Sequence, residues 1–319
     1  MKKETVLGVD LGGTKILIGE LDQEGNILES KVYPSKVASQ VEALEQIKEV
    51  IGSYLENETL QGELIAISID LVGRVDSEKG IWYEIHPENT NEIPLADVIS
   101  QQFKLPVVIN NDVSSASLAE MNLGIGKKTK DFIYLNIGTG IAGRVIAAGQ
   151  LLKGGHFNAG EIGHSLVGIN NNVRCVCGRI DCVETFASGL GMSKEVHRLK
   201  KQFPSQLKIT DHERVSGEEI INAFQKNDPL ASQVVQQATK GVAELIMNLV
   251  RTSDPEAVVL GGGLINNDLF FKLVIEKLNA NTMRFVTQGV RQTEIDPALI
   301  ALKGCAVHAF QKRVAKEAK

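Results

Sequence analysis

One pattern occurs twice along this chain, and it narrows the possible folds more than any other feature. From Thr5 to Asp22 a β-rich run enters a turn built on Gly12, Gly13 and Thr14, and a second β-rich run follows from Lys15. From Phe132 to Gly149 the plan repeats, with Gly138, Thr139 and Gly140 at the turn. Apolar, β-branched runs joined by a short glycine turn read as hairpins. Two of them in one chain of 319 residues predict two related α/β domains.

The intervening stretches fit that plan. A helix is predicted from Val41 to Leu55, and a longer one from Leu230 to Val250 that Ser253, Asp254 and Pro255 stop. Pro106 to Asn110 reads as a strand running into Asn111 and Asp112, and Val113 to Met121 as a helix starting beside them. Ala257 to Leu260 has a short buried-strand pattern and leads into a third glycine turn, Gly261 to Gly263. Residues 197–216 are polar and charged, an expected exposed excursion.

Charge and hydropathy remove two classes of partner. Thirty-four Lys and Arg against 39 Asp and Glu give a net charge of −5, so no whole-chain attraction for nucleic acid is expected. Glu4, Asp10 and Lys15 interrupt any signal-peptide apolar region, and no run approaches the roughly 18 apolar residues of a membrane span. A cytoplasmic protein with no nucleic-acid or membrane partner is the expectation.

Chemistry concentrates between residues 161 and 184. Glu161 and His164 precede Cys175, Cys177 and Cys182, three of the four cysteines, and Glu184 follows. Three thiolates and one imidazole form the closed tetrahedral set of a structural zinc site. A disulfide with a spare thiol is the weaker reading: Cys175 and Cys177 are one residue apart, and a cytoplasmic chain keeps its thiols reduced. A metal here would pin a loop and hold both glutamates beside it, a frame suited to a ligand rich in hydroxyl groups. Cys305 and the histidines 86, 156, 197, 212 and 308 belong to no such group and are expected to pack or face solvent.

The glycine turns point to phosphate. Without a Cβ in the way, main-chain N–H groups approach an anion closely. Gly12, Gly13, Gly138, Gly140, Gly262 and Gly263 offer such groups, Thr14 and Thr139 add hydroxyls, and Lys15 flanks the first turn. Asp10 is placed to hold Mg²⁺ through its waters. Gly138, Gly140 and Gly143 also fit the dinucleotide fingerprint G-x-G-x-x-G, but that motif needs a helix next, and Arg144 to Gly149 reads as a strand. No G-x-x-x-x-G-K-[ST] loop is present.

Taken together, the Asp10–Lys15 run, Gly138 to Gly140, Glu161 to His164 and the Cys175–Glu184 run resemble the ROK family of sugar kinases and repressors, in the family's order and across most of the chain. The resemblance implies an α/β fold of two actin-like, hexokinase-like (ribonuclease H-like) domains with ATP and sugar in a cleft between them. A small N-terminal domain would take residues 1–113 and a C-terminal helix, 302–319; a larger one, carrying the zinc loop, would take 114–301. Asp112 corresponds to the catalytic base. Asn111, Glu161, His164 and Glu184 correspond to sugar ligands, beside Asp112 itself. His164, Cys175, Cys177 and Cys182 correspond to the zinc ligands, and a homodimer is implied. Elementary chemistry agrees with these roles. Phosphoryl transfer to an alcohol needs alignment, charge neutralisation and a proton acceptor near the attacking hydroxyl. A helix N-terminus keeps a carboxylate such as Asp112 ionised.

The chain also departs from the family pattern. Val72 and Gly73 stand where Pro-Gly is usual, Asp70 where a small residue is common, and Arg144 and Asp181 where glycines are expected. His86 to Leu95 lacks the common Asn-Leu and tryptophan signature; Asn89 is its candidate for the sugar-contacting asparagine. The expected activity is ATP-dependent phosphorylation of a hexose, first of all glucose at O6. The alternatives are another acceptor (fructose, N-acetylmannosamine, N-acetylglucosamine or a β-glucoside) or a non-catalytic sugar-sensing regulator. Repressors of the family carry a helix-turn-helix segment ahead of the first glycine motif, and with Asp10 already in that motif none is expected.

Overall fold

The computed structural model describes residues 3–35, 39–86 and 89–317, which fall in two compact units. The first takes in Met1–Lys127, Lys153–Ala159 and Ile295–Lys319; the second takes in Lys128–Leu152 and Gly160–Glu294.

The first unit contains β1 (Glu4–Leu11), β2 (Lys15–Leu21), β3 (Ile27–Pro34), β4 (Glu63–Leu71), β5 (Arg74–Asp76), β6 (Ile81–His86), β7 (Asn89–Ile93) and β8 (Val107–Asn111). Its main sheet has the order β3-β2-β1-β4-β8: the first hairpin is there, antiparallel, and β4 and β8 extend it in parallel. Alternation along each strand gives the sheet two faces. Leu7, Val9, Ile67, Ile69 and Ile109 pack with Ile47, Ile51 and Tyr54 of helix α1 (Gln40–Asn57) and Leu95 and Ile99 of helix α2 (Leu95–Phe103). On the opposite face Val6, Leu17, Leu21 and Ala66 pack with Leu302, Ala306 and Phe310 of the C-terminal helix (Ile300–Glu317). That helix also meets helix α3 (Asp112–Asn122) at Gly304, where a Cβ would lie 2.0 Å from the Ser115 carbonyl oxygen. This approach is why α3 belongs to the first unit. Strands β5, β6 and β7 form a separate small antiparallel sheet around fully buried Trp82, whose Nε1 donates to the Val72 carbonyl at 3.0 Å.

The second unit repeats the first one's main-sheet plan. Strands β9 (Phe132–Ile137), β10 (Ile141–Ala147), β11 (Gln150–Leu151), β12 (Ala257–Gly261) and β13 (Gly289–Gln292) run in the order β11-β10-β9-β12-β13, with β9–β10–β11 antiparallel and β12 and β13 parallel to β9. A strand, not a helix, follows Gly140, so the dinucleotide fingerprint is ruled out on its own terms. Helices α4 (Glu184–Ala187), α5 (Gly189–Leu199), α6 (Gly217–Gln225) and α7 (Pro229–Ser253) complete the core. The side chain of Asp228 accepts from the Ala231 N–H and Pro229 occupies the first turn of α7, so its start is chemically marked. Val235, Ala238, Val242 and Ile246 of α7 share a core with Leu135, Val258, Leu260 and Phe186. Gly241 lets the Phe186 ring against the helix, since a Cβ there would sit 2.5 Å from it. Among the described residues no helix is long and apolar enough to cross a membrane.

Candidate active site

In the first unit, polar residues gather at the carboxyl ends of the parallel strands, where open α/β sheets bind ligands. Asp10, Asp70 and Asn110 are register neighbours on β1, β4 and β8. One residue on, Asn111 caps α3: its Oδ1 accepts from the Ser114 N–H at 3.1 Å and its Nδ2 donates to the Gly73 carbonyl at 3.1 Å. Asp112 is the first residue of α3, and its Oδ1 accepts from the Val113 N–H at 2.9 Å. Burial, then the neighbouring charge of Asp112, pushes the Asp10 carboxyl up to about 7, against a smaller opposing pull from Lys15. Asp70 is driven well above the carboxylate range by burial and then by Asp10. Carboxyl groups crowded in this way make a favourable place for a divalent cation, so Asp10 fits the Mg²⁺ role. The first glycine turn is closed by the Gly12 N–H donating to the Lys15 carbonyl at 2.9 Å, with Gly13, Thr14 and Lys15 exposed.

The second unit holds the other turns and the Glu161–Glu184 region. The Gly138 N–H donates to the Gly140 carbonyl at 3.0 Å, and the Gly189 and Leu190 N–H groups at the start of α5 donate to the carbonyls of Gly138 and Thr139 at 2.8 and 3.1 Å. The Leu264 N–H donates to the Ile137 carbonyl at 3.1 Å and brings the third glycine turn alongside. Gly262, at φ +94°, tolerates no Cβ, which would lie 2.6 Å from the Ile137 carbonyl; Gly263 is open. Thus Gly138, Thr139, Gly140, Gly262 and Gly263 lie together.

Glu184 is the first residue of α4, and its Oε2 accepts from the Ile141 N–H at 2.7 Å. Gly163 packs between Ile141 and Glu184, where a Cβ would sit 2.3 Å from the Ile141 carbonyl oxygen and 3.2 Å from the Glu184 Cβ. The Glu161–His164 turn, the second glycine turn and Glu184 therefore form one assembly, with Glu161 exposed. That Glu184 braces the glycine turn was not visible in the sequence, because the contact spans 43 positions.

The candidate metal-binding group is compact. His164, Cys175, Cys177 and Cys182 each offer a ligand atom, and these atoms lie within 4.8 Å of one another. His164 Nδ1 is 3.2 Å from Cys175 Sγ, Cys177 and Cys182 have their sulfurs 3.5 Å apart, and all four cysteines of the chain are free thiols. A zinc ion with Zn–S bonds of about 2.3 Å sets sulfurs roughly 3.8 Å apart, so spacing and donor set both fit. Burial and then its two thiol neighbours push the Cys182 thiol up to about 12, a crowding that a bound cation relieves. Arg179 Nη1 donates to the His164 carbonyl at 3.0 Å and secures the loop. Asp181 has a glycine-like φ of +66°, and its Oδ1 accepts from the Asn171 and Val173 N–H groups at 3.0 Å each, which offsets the strain of a side chain there.

One other departure has physical content. Arg144 is buried on β10 and its Nη1 donates to the Gly143 carbonyl at 2.8 Å; Gly160, just before Glu161, is confined beneath it, since a Cβ there would meet the guanidinium at 2.1 Å. The Asn89 side chain lies outside the described residues.

Comparison with known proteins is consistent across the whole chain. A model of the ROK family matches residues 6–303. A glucokinase of Halalkalibacterium halodurans is 28% identical over 295 residues, 91% of this chain and 89% of that protein. An N-acetylmannosamine kinase of Escherichia fergusonii is also 28% identical, over 82% of this chain and 83% of its own. Among solved structures, the ROK hexokinase from Thermus thermophilus superposes with a TM-score of 0.78 at 27% identity, covering 98% and 99% of the two chains. A ROK family glucokinase from Streptomyces griseus, solved in complex with glucose and AMPPNP, gives 0.75 at 25% identity over 96% and 99%.

Proposed function

The chain belongs to the ROK family and has its two-domain actin-like, hexokinase-like fold, and from that premise we propose that it is an ATP-dependent hexose kinase acting first of all on glucose at O6. The observation that carries the reading is the position of Asp112: first residue of α3, directly after β8, beside the polar ends of three parallel strands.

In this reading Asp112 accepts the proton of the attacking hydroxyl. The α3 N-terminus favours a negative charge at that position. Asn111, Glu161, His164 and Glu184 bind the sugar hydroxyls, with Asn89 as a further contact. A site built on such bonds rejects acceptors that lack a hydroxyl, because its own polar groups are then left unpaired. Gly12, Gly13, Thr14, Lys15, Gly138, Thr139, Gly140, Gly262 and Gly263 are the proposed N–H and hydroxyl donors to the nucleotide phosphates. Asp10 would hold Mg²⁺, which neutralises phosphate charge when bound. His164, Cys175, Cys177 and Cys182 would hold a structural zinc ion; with Nδ1 of His164 on the thiol side, Nε2 on the far edge of the ring is left for a sugar hydroxyl. The same reading takes the protein as a cytoplasmic homodimer.

The 28% identity to an N-acetylmannosamine kinase equals that to the glucokinase, so N-acetylmannosamine is the second sugar in order. The test is sugar-dependent ADP release from Mg-ATP over a panel of aldohexoses, ketohexoses, N-acetylhexosamines and β-glucosides. Release with glucose supports the reading as stated, and release with another sugar alone moves the acceptor. Failure of the whole panel removes the kinase.

A further inference from the structure

Asp70 is a carboxyl group for which the proposed reaction has no use. It is 0% exposed, one residue short of the end of β4, on the sheet face that carries Val6, Leu17 and Ala66 toward its other end and Asp10, Ser68 and Asn110 around it. A small or apolar side chain would pack there without the cost of burying an acid. What Asp70 adds is a chain of hydrogen bonds. Its Oδ1 accepts from Ser115 Oγ at 2.5 Å. The same hydroxyl accepts from Asn110 Nδ2 at 3.1 Å, and Asn110 Oδ1 accepts from the Asn111 N–H at 3.0 Å. Ser115 is fully buried and Asn110 nearly so. The buried Cys305 thiol of the C-terminal helix also interacts with the carboxyl.

The place where this chain ends gives it meaning. β8 finishes at Asn111 and α3 starts at Asp112, so extended backbone becomes helix with no loop between them. The Asn111 side chain is already committed to Gly73 and Ser114. Asn110, on the strand, and Ser115, in the first turn of the helix, therefore form a clasp across the corner, and Asp70 anchors that clasp to β4. We propose that Asp70 is a positioning residue which, through Ser115 and Asn110, fixes the direction in which the β8–α3 corner presents Asn111 and Asp112. The structural part of this inference is independent of the kinase reading; its kinetic consequence rests on Asp112 acting as the base.

Amide hydrogen exchange at Asn111 to Ser114 reads the corner without any substrate. Asp70→Ala and Ser115→Ala should each speed exchange at Asn111 roughly tenfold or more. The double variant should go no further than either alone, because both cut one chain. Asp70→Asn keeps an Oδ1 acceptor and should stay close to the parent protein. Ser115→Ala leaves the Asp70 site filled, so it supplies the same reading should Asp70→Ala fail to fold. On the kinetic side, kcat for the sugar that is turned over should fall roughly 10- to 100-fold in Asp70→Ala, the scale of a small misplacement of a reacting group, while the sugar KM holds and Asp70→Asn restores the rate. Unchanged exchange in both single variants, or effects that add in the double, would overturn the proposal. If no sugar is turned over by the parent protein but the exchange pattern holds, the kinase reading falls and the role of Asp70 in the corner stands.

Discussion

Asp112 sits where one local geometry serves two ends. The α3 N-terminus stabilises its charge, and the abrupt strand-to-helix change projects it beyond the sheet. Asp112→Asn keeps the shape and the acceptor for the Val113 N–H but cannot take a proton. Its kcat should fall by roughly 10²–10⁴, the usual worth of a positioned base, with the sugar dissociation constant little changed in calorimetry. Near-normal turnover would exclude Asp112 from that role. At this scale the sequence singled out carboxylates, thiols and an imidazole by type and spacing, and His164, Cys175, Cys177 and Cys182 do lie together. It did not show what holds them. Glu184 reads only as a ligand until its second tie, to the Ile141 N–H, is seen, and Asp70 reads as an oddity in an apolar strand until Ser115 and Asn110 are found beside it.

Elements were legible where their signals are local. Both hairpins, α1, α7 and β12 lie where periodicity and turn residues place them, since turn chemistry, N-caps and β-branched runs act over a few positions. The sheet β5-β6-β7 was missed: its strands are short, its pairing has register shifts, and its buried Trp82 is tied to the Val72 carbonyl ten positions away. The C-terminal helix carries a property that no periodicity encodes. His308 is 6% exposed and its Nδ1 has no hydrogen-bond partner among the described residues; burial first, then the charges of Lys312 and Lys153, push its pKa down to about 3. A lowered pKa means that the folded state binds fewer protons than the unfolded one between about 6.5 and 3. The contribution of His308 to stability is therefore intact above pH 6.5 and is lost as the pH falls through that window, up to about 5 kcal/mol in all. Thermal melts from pH 7 down to 4 should show a steep acid-side decline that His308→Phe flattens; parallel profiles for the two proteins would refute this.

At the scale of the molecule, two sheets follow one strand order, and the second unit adds a loop whose three thiols and one imidazole could hold a metal ion, a cluster that the first lacks among its described residues. Structural zinc contributes on the order of 10 kcal/mol in small sites, comparable to the whole stability of a domain. Chelation, or Cys177→Ser, should therefore lower the melting temperature and weaken sugar binding together. Elemental analysis should find one zinc per chain in metal-replete protein, and finding none would end the zinc assignment. The repeated hairpin made the doubled architecture readable from the sequence. The return of the far end of the chain to the first sheet also follows from contacts, since Leu302, Ala306 and Phe310 fill its second face and Lys303 Nζ donates to the Gly25 carbonyl at 2.9 Å. That return has a consequence during synthesis on the ribosome. The first sheet emerges early, yet Val6, Leu17, Leu21 and Ala66 stay bare while residues 128–299 are translated, roughly 10–30 s at ordinary speeds. The nascent protein thus spends its youth with an uncovered greasy flank, and this is the interval in which a chaperone matters most.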